Sequence, residues 1–383
     1  MRTPVPALIV ATLLSMLLVP AAEAEHVPRS EIQWACGFGE RNAEGCGIDA
    51  VHDPEFGPDW IDPRDDVLGV VLNGDARAYP VRMLDRHEIV NDIIGGVPVA
   101  VTWCPLCGSG ITFERNAEID GERRTLDFEV SGYLYKHDLV MWDPQTQKLW
   151  TQILGRPIGS LPGSVVETAH PDAELEPVTT AQVTWQEWQE RHPGTRLLQP
   201  ALESTSYRGS AYGDYDSDCR IGVGGGEECE IDGLHPKEEV VGVDVKDRAI
   251  AFPVLGVLQS GGVVHHPFNG EDLLVVAGRE GTLVFDADGH RFEKRDGAWV
   301  DEEGRPWDIE AGRSMTTDET LERLDTLVLF WFAWKEHRPD TALWVPEDFE
   351  GKDGEGRFLP APGTVLSMLL ITATALVRAR RRS

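Results

Sequence analysis

The chain repeats itself, and this repetition constrains its fold more than any other feature. Leu68 to Val81 returns as Val241 to Val254 at a constant offset of 173 residues, keeping the Gly-Val pair, the Ala-Tyr/Phe-Pro turn and the apolar alternation. Further on, Trp185, Trp188 and Thr195 return as Trp331, Trp334 and Thr341 at an offset of 146, so the second copy is shorter by 27 residues. Solenoid repeats have periods of about 20 to 50 residues, which excludes that architecture. The expectation is a β-rich α+β fold made of two homologous lobes that arose by internal duplication. A chain of 383 residues is long enough for two such units, each with its own core.

Period-two alternation predicts strands at Asp66 to Leu72, Ala76 to Tyr79 and Val97 to Trp103, with Asn73-Gly74 as a hairpin turn. Val97 to Val101 aligns with the apolar run Asp272 to Val276, and Ile111 to Phe113 with Leu283 to Phe285. Ile111 to Glu114 and Leu126 to Val130 also read as strands. Helices are expected at Thr180 to Arg191 and Thr317 to Lys335, where Trp pairs at i and i+3 share one face for core packing.

Six cysteines fall into three local pairs: Cys36 with Cys46, Cys104 with Cys107, and Cys219 with Cys229. The outer pairs sit in Gly-rich polar stretches with little apolar surface, so disulfides are expected to close those loops. Only the first copy carries Cys104-Pro105-Leu106-Cys107-Gly108; the second has Gly278, Arg279 and Glu280 there. The two thiols are therefore dispensable for the shared fold.

Cys104 and Cys107 are the candidate catalytic residues, with thiol-disulfide redox chemistry the leading expectation and metal ligation or a structural disulfide the alternatives. As a redox pair, one thiol attacks a partner's disulfide and the other resolves the mixed disulfide. No long amphipathic helix follows the motif, which excludes a thioredoxin fold. As a metal knuckle they supply two of four ligands, and His87, His137, His265 and His266 are the candidates to complete a zinc or Cu(I) site. As a small staple they form a structural disulfide in a non-catalytic binding module. The sequence names no cofactor, and the partner expected for the redox reading is an unidentified protein or thiol. Asp214-Tyr-Asp-Ser-Asp218 has the alternating carboxylates of a calcium loop. It lacks the Gly at the sixth position and the Glu at the twelfth, so a solvated acidic segment is expected.

A formal net charge of -30 argues against nucleic acid as a partner. With only seven lysines, this acidic composition suits strong salt. Arg2, the apolar run from Ala7 to Val19 and Ala22-Glu-Ala24 read as a secretion signal. At the other end Leu359-Pro-Ala-Pro-Gly363 precedes an apolar stretch from Thr364 to Val377 and a terminal Arg cluster. Fourteen apolar residues fall short of the roughly 17 to 25 of an ordinary span, so a sorting tail and a short anchor both remain open. Either way, export and attachment to the membrane or cell envelope are expected.

The motifs Val101 to Gly108, Ser131 to Asp143 with Leu149-Trp-Thr-Gln152, and Trp185 to Trp188 before His192-Pro193 together resemble the family catalogued as domain of unknown function 3179, exported proteins of bacteria and archaea. The resemblance spans about residues 64 to 346 and implies no established activity. It also implies relatives with selenocysteine or a single Cys in the motif at Cys104 and Cys107. The expected organisation is a signal at 1–24, an N-terminal segment with a local disulfide at 25–63 and the first repeat at 64–200. An acidic Gly-rich linker follows at 201–237, then the second repeat at 238–346, a linker at 347–363 and the tail at 364–383.

Overall fold

In the computed structural model, which describes residues 27–35, 48–119, 121–161, 173–349 and 351, the first region begins with a hairpin. Strand β1 (Asp66–Leu72) turns at Asn73-Gly74 into β2 (Asp75–Pro80), pairing Val67 with Pro80 and Leu72 with Asp75. Pro80 sets the extended entry to a short helix, α1 (Val81–His87). Strands β3 (Ile89–Ile94), β4 (Val97–Cys104) and β5 (Ser109–Glu114) then form an antiparallel meander. After an inserted sheet, β6 (Ala181–Thr184) adds to β1, α2 (Trp185–Arg191) follows, and β7 (Arg196–Leu198) lies parallel to β2.

The second region runs through the same series. Strands β8 (Glu239–Val245) and β9 (Arg248–Pro253) form a hairpin, α3 (Val254–Gln259) follows, and β10 (Val263–Phe268), β11 (Glu271–Gly278) and β12 (Gly281–Asp286) form a meander. Then β13 (Thr326–Phe330) adds to β8, α4 (Trp331–His337) follows, and β14 (Ala342–Leu343) lies parallel to β9. The sheet orders are β6-β1-β2-β7, extended past β7 by the short antiparallel strand Phe56–Gly57, and β13-β8-β9-β14. The molecule is thus β-rich, with four short α-helices among the described residues.

One packing device recurs in both regions. A Cβ built on Gly69 would stand 2.4 Å from the Trp188 ring, and one on Gly242 would stand 2.5 Å from the Trp334 ring. Each indole fills a notch that only a residue without a side chain leaves open. Each also donates its Nε1 hydrogen to a threonine hydroxyl, Trp188 to Thr195 at 2.9 Å and Trp334 to Thr341 at 2.8 Å. Both rings are fully buried, so the Trp pairs are core residues as expected.

The helices are shorter than the sequence suggested. Ala181–Thr184 and Thr326–Phe330 are strands that pair with β1 and β8, and helix begins only at Trp185 and Trp331. The edges of the two sheets capture these segments, in which Val183, Thr184, Thr326 and Val328 are β-branched. The α2 boundary is a capping box, in which the Thr184 hydroxyl accepts from Glu187 N–H while the Glu187 carboxylate accepts from Thr184 N–H. Among the described residues no helix is long and apolar enough to cross a membrane. The expected signal at 1–24, the tail at 364–383 and the Cys36–Cys46 pair lie outside the described residues.

Candidate functional site

The Cys104–Gly108 turn joins β4 to β5, with Cys104 paired to Ser109 and Cys107 N–H donating to Cys104 O at 3.1 Å. Gly108 adopts φ 60, and a Cβ there would meet the Phe330 ring at 2.7 Å. Phe330 N–H in turn donates to Cys107 O at 2.7 Å, so the end of β13 seals the turn from the second region. Both sulfurs are free thiols, Cys104 2% exposed and Cys107 fully buried.

The inserted sheet brings the rest of the site. Glu129–Tyr135 and Asp138–Trp142 form a hairpin whose two turn residues, Lys136 and His137, stand at φ 50 and 61. Two-residue hairpins of this geometry usually use Asn-Gly, because left-handed backbone is unfavourable for bulky side chains. The turn aims the His137 carbonyl at both thiols, which donate to it from 3.5 Å (Cys107) and 4.0 Å (Cys104). It also places Asp138 beside them: both sulfurs and a carboxylate oxygen of Asp138 lie within 4.8 Å of one another.

Hydrogen bonds fix that carboxylate. Its Oδ2 accepts from Ile153 N–H at 3.0 Å and from the Thr151 hydroxyl at 3.3 Å, while Oδ1 is buried without a partner. Gln152 braces the opposite side, accepting from the Ser109 hydroxyl at 2.8 Å and donating to Thr102 Oγ1 and Ser109 O. Burial lifts the Asp138 carboxyl to about 7 against the pull of its donors. Burial also pushes the Cys107 thiol well above its ordinary value, and the adjoining Cys104 thiol adds to the shift. From α4, Glu336 approaches His137 Nε2 at 3.8 Å, and burial raises its carboxyl to about 7 despite the Lys136 ammonium.

A disulfide links Cys219 to Cys229, as expected. The segment before it packs onto the thiol turn, with Tyr215 OH donating to Leu106 O at 3.0 Å and accepting from Gly222 N–H at 2.8 Å. Within the run Asp214–Asp218, Asp218 bonds the Arg220 guanidinium and the fully buried Lys237 ammonium, an internal ion cluster in place of a calcium loop.

The hairpin, the thiol turn and the Thr151-Gln152 brace are the same stretches that carried the resemblance, and their convergence in space gives it physical content. The chain belongs to the DUF3179 family. The model of that family, described as a protein of unknown function, matches residues 46–341 and so begins upstream of residue 64, where the resemblance had been drawn. Neither the curated proteins nor the solved structures contain a match.

Of the four histidines expected as ligands, His137 alone lies at the thiols, and it turns its carbonyl toward them. His87 uses both ring nitrogens elsewhere, on Asp49 O and Tyr207 OH, each at 2.8 Å. His265 and His266 lie on β10, where His265 stacks on Phe292 and His266 meets Phe252 edge-on. Sequence reasoning missed Asp138, Thr151 and Gln152, although the quoted motifs contained all three.

Proposed function

We propose that this chain is an exported, envelope-attached protein that binds a thiophilic cation between Cys104, Cys107 and Asp138. The convergence of two free thiols with the buried Asp138 carboxylate, one oxygen of which has no hydrogen-bond partner, carries this reading. A buried acceptor with nothing to bond costs about 1 to 3 kcal/mol, and a cation here would satisfy it together with both sulfurs. Two thiolates and one carboxylate would form a donor set suited to Zn2+ or a similar borderline metal, and the His137 carbonyl, 3.5 Å from the Cys107 sulfur, would be a further oxygen donor close by. The secretion signal and Arg-ended tail support export, and the matching sheet orders and Gly-Trp-Thr devices support descent of the two regions from one duplicated unit.

Titrating the reduced full chain with Zn2+ against a chromophoric chelator tests the reading. One equivalent is expected to bind, with binding lost in C104S/C107S and weakened at least tenfold in D138N. Wild-type affinity in D138N, or no stoichiometric uptake, sinks it.

The unpartnered Asp138 Oδ1 also supports thiol redox chemistry. Oxidation of the pair to a disulfide passes two electrons and two protons to a partner disulfide, which becomes two thiols, and an Asp138 carboxylate oxygen within 4.8 Å of both sulfurs can relay a proton. Burial of both sulfurs keeps a partner's disulfide from reaching them, which is why this reading stands second. A reduction potential above about -300 mV with no metal uptake reverses that order.

A further inference from the structure

We propose that the Cys219–Cys229 disulfide is the latch of a cap over the thiol pair, and that reduction of the latch by a small thiol opens the cap. The proposal rests on the preceding reading only in taking Cys104 and Cys107 as the site to be reached.

The cap is the segment from Tyr212 to Ile231. Its contacts converge on the thiol turn and on the hairpin that carries Asp138. Tyr215 holds the Leu106 carbonyl, inside the turn itself. Gly222, at φ 56, lies so close to His137 that a Cβ there would stand 2.0 Å from the ring's Nδ1. Tyr212 OH donates to the Glu88 carboxylate at 2.9 Å, and the Trp331 indole donates to Ile231 O at 2.8 Å. A cavity of about 300 Å³ lies beside the turn, with Leu106 and Leu139 on one side and Tyr212 and Val223 of the cap on another.

The composition of the cap explains why it needs a latch. Residues 222–226 are Gly-Val-Gly-Gly-Gly, and Val223 is an exposed hydrophobic. Such a stretch gains little from burial and loses much chain entropy when ordered. The disulfide spans it, with a sequence separation of 10, and removes part of that entropy from the open state. Cys229 is exposed, so a thiol in solution reaches the latch while the pair beneath stays buried. The exchange balances: two small thiols give up two protons and two electrons, leaving Cys219 and Cys229 as thiols and the reductant as its disulfide.

Iodoacetamide labelling of the full chain, read cysteine by cysteine by mass spectrometry, tests the latch without involving a metal. Mild dithiothreitol treatment, or the C219S/C229S variant, is expected to speed labelling of Cys104 and Cys107 at least tenfold with the near-UV dichroism retained. Reoxidation is expected to restore protection. Gly222→Ala, with the disulfide intact, is expected to act in the same direction by wedging the cap off His137. Labelling rates within twofold of the oxidised protein overturn the proposal, as does a collapse of the near-UV signal alongside labelling. A working latch without zinc uptake retires the metal reading alone; zinc uptake with labelling insensitive to the latch retires the cap alone.

Discussion

The turn between β4 and β5 and the turn between β11 and β12 occupy the same place in two matching meanders, yet they do opposite things. In the second region Gly278 pairs with Gly281, and Glu280 reaches across to the first region, bonding Arg191 at 2.6 Å and His192 at 3.2 Å. These groups are partly exposed, and the contact is an ordinary polar seam. In the first region the turn points inward, and its thiols lie beneath Phe330, the His137 hairpin and the cap. One topology accommodates either turn. The difference lies in what surrounds it, above all the inserted sheet that supplies Asp138, Thr151 and Gln152.

Five variants break or sharpen that comparison. W188A and W334A each empty a glycine notch and remove the indole donor to a threonine hydroxyl, and each is expected to cost about 3 to 5 kcal/mol in denaturant unfolding. A large gap between the two costs would mean that the regions do not share one packing device. C104A/C107A is expected to cost no more than about 1 to 2 kcal/mol in metal-free protein. The same variant should abolish a zinc-dependent rise in stability, about 2.7 kcal/mol when free zinc is 100 times its dissociation constant.

Glu88, at the left-handed end of α1, is a further asymmetry, because a glycine, Gly261, stands at the corresponding offset after α3. Burial raises its carboxyl to about 7, against the Tyr212 hydrogen bond. A folded-state value above the unfolded one makes the proton stabilising, so stability falls as pH rises from about 4.5 and the loss is complete above about 7. E88Q keeps an acceptor for Tyr212 and should remove about 1 to 3 kcal/mol of that decline, read as thermal midpoints at pH 5 and pH 8. The smallest effect is expected from E280Q, whose partly exposed ion pairs should contribute about 0 to 1 kcal/mol.

Local patterns made the scaffold legible. Alternation located β1 and β4 almost to the residue, and the Asn73-Gly74 turn and Trp pairs fell where expected. Expected helix at Ala181–Thr184 was strand, although Thr184 and Glu187 already spelled the capping box that marks the true start. The site was harder to read because its parts are far apart in sequence. Alternation reports which face a residue lies on, and it says nothing of Asp138 meeting a sulfur more than thirty positions earlier. The histidines drew attention through residue type alone, yet at the thiols it is a backbone carbonyl that matters, held by a strained turn that no composition betrays.

The seal that Phe330 places on Cys107 has a consequence for the order of events during synthesis. The thiol turn is made early, whereas the residue that closes it belongs to a strand that pairs with β8 and comes more than two hundred positions later. Until that strand has emerged, the Cys107 carbonyl and the Gly108 backbone lack the partner that closes the turn. A nascent chain therefore carries the thiol turn before its last cover exists, so the timing of folding sets when the thiols are enclosed.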